Sequence, residues 1–553
     1  MRLKEIYKST KIRIATIVLV LSGFVLVSFD NDDFEIVKNL DIYYTLFREL
    51  NLIYVDETDA GKLVKTSIDQ MLKSLDPYTV YIPESKLEDY KFMTTGQYGG
   101  IGALIRNSGD FTLIAEPYED SPAMKAGLKA GDIIIEVDKK SIKGKDSDEI
   151  SEVLKGQPNT PVDLLIERPG EENKFTKTLI REEIKIKSVP YFDMLNEEIG
   201  YISLSQFTMN CSNDVKEALI DLKENRNAKS IILDLRSNPG GLLMEAVKIA
   251  NLFVEKDQEI VSTKGKVKQW NKTYKSTMPA YDSEIPIIVL VNSGSASASE
   301  IVSGAIQDLD RGVIVGQRTF GKGLVQATRD LSYNSKLKVT TAKYYIPSGR
   351  CIQALDYSNR NDDGSVGKIA DSIITQFSTK NGRKVYDGGG IMPDIITEPK
   401  TISNISISLV LKNHIFDFAT QYCLKHDSIV SAKDFVFADK DYEDFKNYIS
   451  DKDFDYESNS EYNFNKLKKI AEQEKYFDMA KEEFDALYEK IRHDKNKDLQ
   501  IFKDELIEIL SEEIVSRYYY QKGRIQKSFE YDNDIKKAIS LLGDNDEYNK
   551  ILK

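Results

Sequence analysis

Residues 285–300 read IPIIVLVNSGSASASE. The first seven form an apolar, β-branched run, the signature of a strand buried on both faces. Past the serines, Ile301, Ala305 and Ile306 recur at helical spacing until Gly312 ends the pattern. The serines therefore occupy a strand-to-helix turn. Ser297 and Glu300 have the spacing of a capping box, in which hydroxyl and carboxylate satisfy free amides at a helix start. A nucleophile would use the same place, so the turn alone leaves cap and catalyst both open.

Upstream, 230–235 (SIILDL) reads as a second buried strand, 237–241 (SNPGG) as a tight turn and 242–254 as a helix. Two strand–turn–helix units imply parallel strands whose turns gather at one edge of a sheet, where α/β sites lie. This α/β character extends over 189–399. Before it, 96–188 has a glycine-rich stretch, YGGIG at 98–102, then SPAMKAGLKAGD at 121–132, a strand at 133–137, a helix near 148–154 and a strand at 162–167. That order resembles a PDZ domain. In such domains a glycine loop offers backbone amides to a peptide's terminal carboxylate while the peptide adds a strand; the resemblance assigns this to Gly99, Gly100, Ile101 and Gly102.

The flanks are helical by pattern. Leu63, Ile68, Met71 and Leu72 form an apolar stripe within 31–95, which closes on LDPYTVYI at 75–82, where Asp76-Pro77 favours a turn. In 400–553, Phe464, Leu467, Ile470 and Ala471 share helical spacing in a highly charged segment, read as a solvated accessory or dimerising module that allows a homo-oligomer. At the N-terminus, Arg2, Lys4, Lys8, Lys11 and Arg13 precede an apolar stretch at 14–29. This is an export signal or short anchor, with the remainder of the chain outside the cytoplasm. VLVSFD at 25–30 holds no clear small-x-small cleavage site, so 1–30 is read as a retained inner-membrane anchor, leaving the rest on the periplasmic side.

Composition narrows the chemistry. A length of 553 residues suggests roughly three to five domains. A net charge of -13 disfavours nucleic acid as a partner. Cys211, Cys351 and Cys423 lie far apart without metal-ligand spacing and read as buried free thiols. All three histidines, His414, His426 and His493, fall in the helical C-terminal region, which excludes a Ser-His-Asp site built within the α/β segment and a histidine-rich metal site there. An activated serine needs another base. Lys322, in TFGKGLVQ at 319–326, has glycines on both sides and Phe320, Leu324 and Val325 nearby. Apolar burial disfavours the charged amine and lets it accept a hydroxyl proton. If the segment is extended, Lys322, Leu324 and Gln326 share a face. A surface lysine in a glycine turn is the competing reading.

NSGSASASE followed by TFGKGLVQ resembles the catalytic segment of the C-terminal processing peptidases, or tail-specific proteases. DLRSNPGG at 234–241, YYIPSGR at 344–350, DGGGIMPD at 387–394 and LDPYTVYI match family segments in the same order, so the resemblance covers roughly 35–399. RYYYQKG at 517–523 is similar to a helical extension of some bacterial members. The resemblance implies Ser297 as nucleophile, Lys322 as general base, Gln326 as its partner, and an oxyanion hole from the Ala298 amide with Gly240 or Gly241. It implies an α/β multidomain fold with a crotonase/ClpP-like protease core, an inserted or preceding PDZ domain, and helical N- and C-terminal regions. The expected layout is 1–30 signal or anchor, 31–95 helical domain, 96–188 PDZ domain, 189–399 protease core and 400–553 helical extension. Substrates would be proteins or peptides with accessible C-terminal tails; no metal or organic cofactor is implied. Arg236 and Arg350 could bind a carboxylate, but read at least as well as structural ion pairs and are left outside the site. The rival readings are a catalytically silent tail-binding scaffold and an acyl-transfer enzyme acting on small thioesters.

Overall fold

The computed structural model describes residues 31–553 apart from 362–363, 370–371 and 373; the anchor expected at 1–30 lies outside the described residues. Among those described, no helix is long and apolar enough to cross a membrane. The chain divides into two compact units, Met1–Tyr81 and Ile82–Lys553. In the first, helices Asn31–Ile53 and Ala60–Lys73 are joined by a short loop, and Asp59 caps the second by accepting from the Lys62 N–H at 2.9 Å. Of the expected stripe, Leu72 is buried whereas Met71 is exposed. The Asp76 carboxylate holds the following turn, accepting from the N–H groups of Tyr78 and Thr79 at 2.8 Å each.

The helix Leu87–Thr95, grouped by spacing with the N-terminal helices, belongs to the second unit. Its Phe92 ring meets Tyr98 edge-on at 5.4 Å, and the Thr94 carbonyl accepts from Met209 N–H at 2.9 Å. Next comes an antiparallel sheet in the order Ala103–Ser108, Phe111–Pro117, Ile133–Val137, Pro161–Glu167, Phe175–Ile180, with helices Pro122–Lys125 and Ser147–Leu154 against it. Period-two alternation sends Val162, Leu164 and Ile166 into its core, where Ile114, Ile134 and Ile150 meet them.

The α/β segment forms a six-stranded sheet ordered Tyr191–Met194, Ile199–Ser203, Ser230–Asp234, Ile287–Val291, Val313–Gly316, Ile395–Ile396. Only the first pairing is antiparallel. The turns after Ser230–Asp234, Ile287–Val291 and Val313–Gly316 consequently open at the same sheet edge. One face, carrying Ile231, Leu233, Ile287, Val289 and Val291, packs on helices Cys211–Ile220, Leu243–Asn251 and Ala298–Asp308. The other, carrying Ile232, Ile288, Leu290, Val313 and Val315, is covered by Ile535, Ala538, Leu541 and Tyr548 of helices Asn533–Leu542 and Asn545–Ile551. The Tyr548 hydroxyl bonds to both the N–H and the carbonyl of Ile287, at 3.0 Å each.

That second cover corrects the reading of 400–553 as a solvated accessory. The two-sided burial that makes IPIIVLV continuously apolar needs a layer on each face, and these helices supply one of them. The preceding helices build their own core around Phe418, Phe437, Tyr442, Phe445 and Leu510. In Asn459–Gln473, Phe464 and Ala471 are buried but Leu467 and Ile470 are exposed, so the expected stripe is narrower than its spacing suggested. The helix Lys503–Ser528 breaks at Tyr520, where φ is +54°. Beyond the break, Lys522 and Arg524 reach Glu119 and Glu116 at 3.0 and 3.3 Å.

A second antiparallel sheet, comprising Glu259–Gly265, Lys272–Lys275, Leu324–Asp330 and Lys336–Tyr345, carries the chain away from the lysine turn.

Candidate active site

The four serines separate by environment. Ser293 is exposed. Ser295 and Ser299 are fully buried, their hydroxyls donating to the carbonyls of Leu235 at 2.7 Å and Asn238 at 2.9 Å. They stitch the serine turn to the SNPGG turn. Ser297 is half-buried and adopts φ +56°, ψ -110°. A non-glycine residue in that region carries roughly 1–3 kcal/mol of strain, an outlier that points towards function. A sharp strand-to-helix turn of this kind also presents a hydroxyl at the head of a helix.

Glu300 connects this turn to the lysine. Its carboxylate is wholly buried and accepts four bonds: from Ser297 N–H (2.8 Å) and Lys322 N–H (2.9 Å) on one oxygen, and from the Thr319 hydroxyl (2.6 Å) and Gly321 N–H (2.7 Å) on the other. Burial pushes its carboxyl up to about 7 in spite of those donors. The capping interaction foreseen for Glu300 is present, and the same carboxylate reaches the next loop. Tyr344, buried on Lys336–Tyr345, adds a second link: its hydroxyl lies near the carbonyls of both Lys322 and Ser297.

The lysine turn differs from the extended segment imagined for it. The strand begins at Leu324, and Lys322 precedes it. The N–H groups of Gly321, Lys322 and Gly323 are drawn to the Glu300 and Gln353 side chains instead of a ladder. Gly321, at φ +84°, makes that turn possible. Alternation therefore relates Leu324 to Gln326 only. Phe320 is exposed, so the apolar surroundings expected from it are absent, whereas Leu324 is buried. The Gln326 amide donates to the Thr340 hydroxyl at 3.2 Å.

Gly240 and Gly241 can now be told apart. A Cβ on Gly240 (φ +94°) would stand 2.8 Å from both Ala298 N and Ser297 Cβ; one on Gly241 would stand 2.2 Å from the Phe207 carbonyl. Gly240 thus borders the Ser297–Ala298 turn, and Gly241 borders the loop at Phe207, with which it forms an isolated parallel bridge. The Gly240 N–H donates to Asn238 Oδ1 at 2.9 Å. Among the described residues, the Ala298 N–H, in the first turn of its helix, has no intramolecular acceptor.

The glycine stretch of the smaller sheet is only partly a loop. Gly99 and Gly100 lie in the strand Gln97–Gly100, paired with Glu182–Lys185, and the Gly99 carbonyl accepts from Gly156 N–H at 3.0 Å. A ladder has claimed them. Ile101 and Gly102 form the turn that follows, with carbonyls bound by Ala123 and Tyr118 N–H at 2.9 Å each. Beyond it, Ala103–Ser108 is an edge strand with the helix Ser147–Leu154 alongside.

Arg236 pairs with Asp234, Asp532 and Asp534, and Arg350 with Asp308, as structural ion pairs. Cys211, Cys351 and Cys423 are free thiols. Sequence reasoning passed over Thr319, Tyr344 and the wider reach of Glu300. A glutamate in SASASE is legible as a cap, but nothing local announces a bond to a loop 22 residues away.

Comparison with known proteins agrees with this architecture. Peptidase family S41 matches residues 198–358, a PDZ domain matches 113–168, and the C-terminal helical domain of a probable PDZ-protease matches 405–542. A carboxy-terminal-processing protease of Bartonella bacilliformis is 38% identical over 328 residues, covering 59% of this chain and 75% of that protein. A probable CtpA-like serine protease of Staphylococcus aureus is 38% identical over 317 residues, covering 57% of this chain and 63% of that one. The solved photosystem II D1 C-terminal processing protease shares 28% identity over 65% of this chain and 92% of its own, with a TM-score of 0.36.

Proposed function

Since the chain belongs to the carboxy-terminal-processing protease family and is a serine-type peptidase with a PDZ domain, we propose that Ser297 is its nucleophile and Lys322 its general base. The observation that carries this reading is the Glu300 carboxylate, which takes the N–H of both residues and fixes the two turns side by side. Lys322, as the neutral amine, removes the Ser297 proton while the hydroxyl oxygen attacks the peptide carbonyl. The proton then passes to the leaving amine, and the lysine activates the water that hydrolyses the acyl-enzyme. Gln326 orients the amine. The Ala298 N–H receives the developing oxyanion, with the adjoining glycine turn as second donor; Gly240 is favoured by proximity, its N–H exchanging Asn238 Oδ1 for the oxyanion. Each such donor contributes about 3 kcal/mol.

The PDZ domain supplies the substrate. A C-terminal tail adds beside Ala103–Ser108, its carboxylate meeting the amides of Ile101 and Gly102, while Gly99 and Gly100 shape the approach as strand residues. In the same reading 1–30 exports and anchors the chain at the inner membrane, placing the peptidase on the periplasmic side and allowing homo-oligomers there. The proposed layout keeps 96–188, 189–399 and 400–553 as domains, ends the N-terminal helical domain at Tyr81 rather than at 95, and has 533–551 serving the protease sheet.

The test compares residues 31–553 with Ser297→Ala and Lys322→Ala variants on an unfolded protein bearing an apolar tail. Cleavage by the parent and its loss in both folded variants is expected; cleavage retained by either variant removes that residue from the dyad.

A further inference from the structure

A cavity of about 550 Å³ opens between the glycine turn and the strand that follows the lysine, walled by Leu242, Met244, Trp270, Tyr274, Val325 and Ala342 and including Gln326. Leu242 directly follows Gly241, so the cavity begins within two residues of the glycine that borders Ser297. Its size falls in the range of roughly 300–1,000 Å³ typical of ligand sites. The walls are mainly apolar. Of the charged lining groups, Glu245 already accepts from Ser212 N–H and Lys248, at 3.0 and 2.7 Å. Arg329 lies over the Trp270 ring, 4.8 Å from its centroid.

Trp270 is the unusual wall. It sits on a single helical turn, Lys268–Trp270, between two strands, and remains 53% exposed beside this cavity. Arg329 reaches it from Leu324–Asp330 and braces the ring by a cation–π contact. An aromatic face held in place but half open gains burial when an apolar group enters beside it.

We propose that this cavity receives a side chain flanking the scissile bond and that Trp270 gives it a preference for large apolar or aromatic residues. The location of that bond rests on the Ser297/Lys322 reading. Selection by an apolar pocket has a known scale: one methylene changes kcat/KM by about 10–200-fold.

The chain contains one tryptophan, so its emission reports this wall alone. In the Ser297→Ala variant, a peptide rich in Leu and Phe should shift that emission to the blue saturably, and an acidic peptide of equal length should not. Val325→Asp, which leaves the fluorophore in place, should abolish the shift. In parallel, cleavage sites in an unfolded protein are mapped by mass spectrometry. The parent should favour large apolar residues beside the cut by at least about tenfold over glycine; Trp270→Ala should compress that ratio severalfold and Trp270→Phe restore most of it. Unchanged emission with a peptide that the parent cleaves, or an unchanged ratio in folded Trp270→Ala, overturns the proposal. An emission shift in a protein that cleaves nothing leaves the pocket standing and removes the dyad.

Discussion

The hydroxyl of Tyr344 lies 2.5 Å from the carbonyl oxygen of Lys322. It is also 3.1 Å from that of Ser297, so one phenol proton faces the backbones of both proposed catalytic residues. It can be given fully to only one carbonyl at a time. The ring acts as a spacer between the two turns, its hydroxyl at their carbonyls while Glu300 takes their amides.

Tyr344→Phe keeps that spacer and removes its bond. The expected result is a fall in kcat of about 10- to 100-fold, the cost of a small misplacement of reacting groups, with KM within about twofold and stability lower by about 1 kcal/mol. Steady-state kinetics on one peptide, alongside urea unfolding, separates the two effects. Equal kcat in parent and variant assigns the hydroxyl to packing alone.

Glu300 gives a pH signature. Its carboxyl stands near 7 against an ordinary 4.5, so between those values the folded chain keeps a proton that the unfolded chain releases. Stability from this group therefore declines as pH rises from about 4.5 to about 7 and is level above, a change of about 3 kcal/mol. Glu300→Gln should remove that slope when unfolding free energies at about pH 5 and about pH 8 are compared. It should also cripple cleavage, because an amide nitrogen would then face donors that now meet a carboxylate oxygen. A slope equal to the parent's would place the titration elsewhere.

The helices Asn533–Leu542 and Asn545–Ile551 should behave as core. Leu541→Ala, a fully buried position against the protease sheet, is expected to cost about 2–5 kcal/mol. Tyr548→Phe should cost about 1–3 kcal/mol by leaving buried groups of Ile287 without their partner. Denaturant midpoints followed by Trp270 emission and by peptidase activity should move together in both variants. A fall in the activity midpoint without the other would indicate a local effect only.

Strand, turn and helix at 285–308 were legible because the signals are local: a β-branched run, turn residues, then 3.6-residue spacing. The proposed roles of Ser297 and Lys322 rest on motif resemblance and on the absence of histidine from the α/β segment. Their connection was not legible, since Glu300 and Tyr344 act across 22 residues each, where spacing carries no information. The strands at 133–137 and 162–167 were placed from the sequence, yet Gly99 and Gly100 lie in a strand where a loop was expected, because a glycine in a ladder and a glycine in a loop look alike in sequence. The second cover of the sheet escaped for a related reason. Ile535, Ala538 and Leu541 announce an amphipathic helix, but such a stripe does not name the surface it will meet.

That cover ties chemistry to the order of synthesis. Chains grow from the N-terminus and fold as segments emerge, so the strands leading to Ser297 and Lys322 are made more than two hundred residues before Tyr548. Until then Ile288, Leu290 and Val313 lack the helices that cover that face, and the sheet that sets the two turns is unfinished. A chain that has not yet reached Tyr548 therefore carries both turns on a sheet with one face uncovered.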